Sequence, residues 1–167
     1  MRRGFGPLLG GMLLGLTTAL SCSATDVLDG VARVAVAVEL KQPLDGVSGD
    51  ALAKRIATLL AALEPPLPVD QGSTDRLRLT IAVRPFSSSD LRGFPLPFSG
   101  TYAVGSVRLS LHRAVEIAGS RPRIVSASVW ERERQITTKG SAARSAVDRA
   151  VTQLLHEFGE VRRGAAK

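Results

Sequence analysis

Seven arginines fall on one parity of alternating polar and apolar segments: Arg33, Arg76, Arg78, Arg84, Arg108, Arg132 and Arg134. A guanidinium presents a planar fork of donors that matches phosphate or carboxylate, and its plane stacks on aromatic rings. Trp130 and His112 fall on the same parity, and Glu39 is the clear acid among them. As one surface these residues read as a site for an anionic ligand: a phosphorylated glycolipid, a lipid headgroup or an acidic protein surface. The competing reading is a solvated face. Glu131 and Glu133 fall on the other parity, although a bulge would bring them round.

A second cluster is apolar. Phe86, Leu91, Phe94, Leu96, Phe98 and Tyr102 lie within Arg84–Gly105, a stretch broken by Pro85, Pro95, Pro97, Gly93 and Gly100. Three of the chain's five phenylalanines are here. A loop of this length in a small domain is often functional, so the cluster reads either as a partner-docking loop or as a cap folded back on the end of the core. Catalytic signatures are missing. There is no G-x-S-x-G, H-E-x-x-H, phosphate-binding loop or dinucleotide fingerprint, and "GVSGD" has the wrong spacing. With two histidines and one cysteine, the expectation is no metal, no cofactor and no enzyme.

The elements that must position these residues follow from periodicity. "VARVAVAVEL" (31–40) puts Val34, Val36, Val38 and Leu40 on one face, as a half-buried strand does. "DALAKRIATLLAALEPP" spaces Leu52, Ile56, Leu59, Leu60 and Leu63 for a helix, with Ser48 or Asp50 to cap it and Pro65 and Pro66 to end it. "DRLRLTIAVR" (75–84), "GSVRLSLHRAVEI" (105–117) and "IVSASVWERERQI" (124–136) alternate as strands. In the last, Val125, Ala127 and Val129 point inward and Trp130, Arg132 and Arg134 outward. Arg113 falls on the apolar face of its strand, which suggests a bulge or strand end there. A final helix carries Val147, Ala150, Val151, Leu154, Leu155 and Phe158 on one stripe, with Gly159 weakening its end. The order β-α-β-β-β-α, with one polar face per strand and one apolar stripe per helix, predicts an α+β two-layer sandwich. Its sheet is four-stranded and largely antiparallel, with two helices on one face. The single domain spans 31–160 and 161–167 is a frayed tail.

The N-terminus supplies a compartment. "MRRGFG" is basic, and Pro7–Leu20 is uncharged and mostly apolar, too short for a comfortable membrane span. Cys22, the lone cysteine, follows directly. Thr18-Ala19-Leu20-Ser21-Cys22 resembles a looser bacterial lipobox, with Ala19 in place of the usual leucine. That implies a signal peptide over 1–21, lipid such as palmitate on Cys22 and a tether over 22–30; cleavage after Ala24 is the alternative. Ser23, which is not the aspartate of inner-membrane retention, implies the periplasmic face of an outer membrane. Net charge is +7, and the signal removes two of 22 basic residues, so the basic character belongs to the fold. Export excludes nucleic acid as a partner.

A lipobox, the β-α-β-β-β-α order and "SGTYAVGSVRLSL" together resemble the lipopolysaccharide-assembly lipoprotein (LptE-like) family over about residues 31–158. The resemblance implies a cell-envelope protein with a membrane anchor that engages an outer-membrane β-barrel partner and contacts an anionic glycolipid, as in LPS assembly. The alternative expectation is a structural accessory subunit of a secretion, appendage or lipid-transport complex.

Overall fold

The computed structural model describes residues 28–87, 100–118, 121 and 123–165. Cys22, the signal and most of the tether lie outside the described residues, as do Leu91, Phe94, Leu96 and Phe98. The chain forms β1 (Ala35–Leu40), α1 (Gly49–Ala61), β2 (Arg76–Ser87), β3 (Thr101–Ile117), β4 (Arg123–Lys139) and, after a 3-10 turn at Gly140–Ala142, α2 (Ala143–Ala165). The expected α+β fold is what forms: one open sheet in the order β1-β2-β3-β4, with two helices. Only β1 and β2 run parallel, as their helical crossover requires; the other pairs are antiparallel.

Period-two alternation decides the layers. Val36 and Val38 of β1 stand beside Leu77 and Leu79 of β2, which stand beside Leu111 and Leu109 of β3. All four of these leucines are buried. On this face α1 packs over β1 and α2 over β3 and β4, and the helices touch each other. Leu52, Ile56 and Leu60 of α1 and Val147, Val151, Leu154 and Phe158 of α2 complete one core. Each such side chain contributes about 1.5–3 kcal/mol by leaving water. Ser48 is the N-cap of α1 but makes no side-chain cap bond; its carbonyl accepts from Leu52 N at 3.0 Å.

Three sequence expectations change. First, α2 does not weaken at Gly159 but runs on to Ala165, and Val161 packs against the core within the stretch read as a tail. A Cβ on Gly159 would sit 2.7 Å from Leu63 Cδ2, so the glycine admits the end of the α1 segment. Second, Leu28, within the stretch read as a tether, is only 2% exposed and belongs to the core. Third, the apolar loop is shorter than Arg84–Gly105. Pro85, Phe86 and Ser87 continue β2, paired with Ala103, Tyr102 and Thr101. Pro85 is tolerated because Lys41 N donates to Ile81 O, so odd residues of β2 turn their backbone groups toward β1, and β1 ends opposite Ile81.

Candidate functional site

The face of the sheet away from the helices is built from the other parity: Glu39, Arg76, Arg78, Thr80, Ala82, Arg84, Arg108, Ser110 and His112. A trough of about 380 Å³ runs across it, lined among others by Glu39, Lys41, Arg78, Ser106, Arg108, Ser110, His112 and Glu131. Thr80, Ala82 and Ser106 are short, so the long charged side chains around them stand up as walls.

The walls are held by ion pairs rather than left bare. Arg78 Nη2 donates to Glu39 Oε2 at 2.5 Å, and Lys41 donates to the same carboxylate. Arg108 donates through Nε and Nη2 to Glu133 Oε2 at 3.1 and 2.7 Å, and its Nη1 lies 3.4 Å from Glu131 Oε1. Gln135 donates to Glu133 at 3.0 Å. Hydrogen bonds from Lys41 and then Arg78 hold Glu39 below the usual carboxylate range. Glu133 is lowered first by the Ser106 hydroxyl and then by Arg108. The same contacts, Glu133 first, raise Arg108 further above its ordinary value. Three basic groups thus meet three carboxylates along the trough.

The expected arginine face is therefore only partly assembled. Arg78 and Arg108 line the trough, with partners. Arg76 and Arg84 lie exposed toward the two ends of β2 and have no ion-pair partner among the described residues. Arg33 precedes β1 and is paired with Asp70 at 3.1 Å. The other three expected members are on the wrong side. Trp130 is 6% exposed and meets Phe158 of α2 edge-on, with ring centroids 5.2 Å apart. Arg132 stands opposite Leu109 and Arg134 opposite Val107, both on the helix-covered face, and Arg134 forms an ion pair with Glu157 of α2. Trp130 Nε1 and Arg134 Nε are buried without a hydrogen-bond partner among the described residues.

The cause is one residue. Leu111 faces Trp130 but His112 faces Ser128, so Val129 is an extra residue on β4. A bulge of this kind exchanges the faces of everything beyond it. It turns Arg132 and Arg134 to the side of the sheet on which α2 lies, where Arg134 meets Glu157 and Arg132 stays exposed, and brings Glu131 and Glu133 onto the open face beside Arg108.

Of the apolar cluster, Phe86 and Tyr102 are half-buried cross-strand partners, on the open-face parity at the end of the sheet where β2 stops. Beside them lies a larger cavity of about 700 Å³, lined among others by Leu44, Pro85, Tyr102, Lys139 and Arg144. Sequence reasoning missed its basic members, which belong to a strand end and a helix start with no shared period.

Chemically, the trough offers alternating donors and acceptors. Ser110 Oγ and His112 Nε2 are 3.1 Å apart, but Ser110 is 4% exposed and no carboxylate bonds the imidazole among the described residues. A nucleophile needs access and an oriented base, and this pair has neither. Among the described residues no group of His, Cys, Asp and Glu is placed to hold a metal.

The architecture is that of a small two-layer α+β domain with one sheet face that no helix covers among the described residues. No protein-family model matches the chain, and no curated protein matches it. Among solved structures, it is similar to rare lipoprotein B from Shewanella oneidensis, at 12% identity and a TM-score of 0.30, over 80% of this chain and 93% of that one. It is also similar to a minor lipoprotein from Acinetobacter baumannii, at 15% identity and a TM-score of 0.29, over 81% and 94%. Likeness at this level defines no family and assigns no ligand or partner.

Proposed function

We propose that the chain is an envelope lipoprotein held to the periplasmic face of a bacterial outer membrane by lipid on Cys22, and that its domain is a non-enzymatic binding and assembly module. The observation that carries this reading is Ala19-Leu20-Ser21-Cys22 behind an uncharged apolar run, only a few residues before the buried Leu28. Several acyl chains on one cysteine anchor firmly, at about 0.8 kcal/mol per buried methylene.

The binding role rests on the open sheet face. A surface whose charges are already paired favours a partner that presents both signs, because each new contact replaces an old one at small net cost. That suits a polar protein wall, such as an outer-membrane β-barrel or an envelope complex. Arg76 and Arg84 keep donors for an anionic glycolipid at the margins of the same face.

Labelling cells with palmitate tests the anchor. Label is expected on the native chain and not on Cys22→Ala; an unlabelled native chain overturns it. Photo-cross-linkers at Thr80 and Ser106, with one at Arg149 as control, test the face. Capture of one membrane protein from the sheet positions alone supports the module. A ladder of self-cross-links assigns the chain instead to a structural subunit, and equal yields from all three positions overturn the docking face.

A further inference from the structure

The β3–β4 ribbon extends past the rest of the sheet. β2 begins at Arg76, opposite His112, so Arg113–Ile117 and Arg123–Ala127 pair only with each other. At about 3.4 Å per residue, these arms project roughly 17 Å. Their tip is where the fold exposes its isoleucines: Ile117 is 54% and Ile124 78% exposed. Arg121 and Arg123 lie between them in the chain, exposed and without an ion-pair partner among the described residues, and Glu116 is the one carboxylate in 113–127.

The ribbon's base is fixed to Asp29 and Asp75. Arg113 donates through Nε to Asp75 Oδ1 at 3.2 Å and through Nη1 to Asp29 O at 2.9 Å. The chain from Cys22 therefore arrives beside the root of the ribbon, at the end of the sheet opposite Pro85 and Tyr102. Five residues separate Cys22 from Leu28. Fully extended, they reach roughly 20 Å, about the length of the ribbon itself.

We infer that the tip of the β3–β4 ribbon is a second membrane contact, in which Ile117 and Ile124 enter the interface and Arg121 and Arg123 meet anionic headgroups. This rests on the lipid anchor at Cys22 proposed above. The placement of the isoleucines selects lipid over a protein surface. Ile117 shares a ribbon face with Val115, whereas Ile124 pairs with Glu116 on the other face. A protein packed against one side of the ribbon would cover one of them. A bilayer met end-on takes both out of water, with cations at headgroup depth. Two points of attachment would also fix the orientation of the domain, holding the Phe86–Tyr102 end away from the bilayer.

The test uses the lipidated full chain, purified in detergent and reconstituted into vesicles of phosphatidylethanolamine and phosphatidylglycerol. With Cys22 acylated, Ile124→Cys carries the single free thiol, and Asp45→Cys at the opposite end is the control. Each is labelled with an environment-sensitive fluorophore and challenged with nitroxide-bearing lipid. Quenching at position 124 and not at 45 is expected. Arg121→Gln with Arg123→Gln in the Ile124→Cys chain should weaken the tip–bilayer equilibrium by roughly thirtyfold on these vesicles, and little on zwitterionic ones. Vesicle-bound protein whose 124 label is as unquenched as the 45 label overturns the tip contact and leaves the anchor standing. Two labelled thiols on a chain that does not hold to vesicles overturn the anchor, and the tip contact with it. A blue shift that follows protein concentration and ignores the quencher lipid assigns the tip to a second copy of the chain and overturns the proposal.

Discussion

The two faces of the sheet are made by the same strands and both carry arginines, yet they use them differently. On the helix-covered face Arg134 is paired with Glu157, a residue 23 positions away on α2, and its Nε is buried without a partner among the described residues. On the open face Arg108 is paired with Glu131 and Glu133, one strand away and in water. The first pair joins two layers. The second trims a surface. An arginine's role here follows from the parity its strand assigns it, not from its neighbours in sequence.

Breaking the closed face should cost most. Gly105 has φ +155°, and a Cβ there would lie 2.0 Å from Ala82 O and 2.7 Å from Val83 Cα. Backbone cannot yield as a side-chain tip can, so Gly105→Ala is expected to abolish cooperative thermal unfolding followed by circular dichroism. A wild-type-like melt would show that β2 and β3 can separate locally. Next in size is Leu154→Ala, which empties a fully buried position on α2. A loss of about 2–5 kcal/mol in urea unfolding is expected.

The pairing between layers comes third. Arg134→Ala leaves Glu157 without its cation and should cost about 1 kcal/mol, since both side chains keep partial exposure to water. Arg134→Met, which keeps the buried stem and removes the charge, should recover most of that if packing is what Arg134 contributes. Equal losses in both variants would assign the contribution to charge instead, and would narrow the difference between the faces.

The layers themselves were legible in the sequence. β1, β2 and most of β3 alternate cleanly, and each helix has one stripe, so hydrophobic burial permits a single pairing of faces. The site was legible only as far as parity held. Reading forward from Val125 gives one face for β4; reading back from Ile136 gives the other. They collide at Val129 and Trp130, two adjacent apolar residues in an otherwise alternating strand. That doublet was the available sign of a bulge. Pro85 misled in the other direction: proline argues against a strand only where a neighbour needs its N–H, and here β1 has already ended. The ribbon tip alternates like the rest of its strands, so its period did not show that β2 stops short of it and leaves Ile117 and Ile124 exposed.

The smallest effect is expected on the open face, and pH isolates it. Glu39 and Glu133 both titrate below their ordinary value of 4.5 in the folded chain. A carboxylate lowered by folding adds stability above its unfolded pKa and loses that stability as pH falls through the folded one. The open-face contribution should therefore be intact above the ordinary carboxylate value of 4.5 and be lost as pH falls below it, through the lowered folded values. Glu39→Gln with Glu133→Gln removes both titrations, so its urea midpoint should fall less than the native chain's over that interval. Salt should shrink the difference, because both carboxylates are reached by water. Identical acid limbs would mean that these ion pairs contribute nothing to folding. Their arginines would then be free to exchange partners at no cost to the fold, which is the property a docking face of this kind needs.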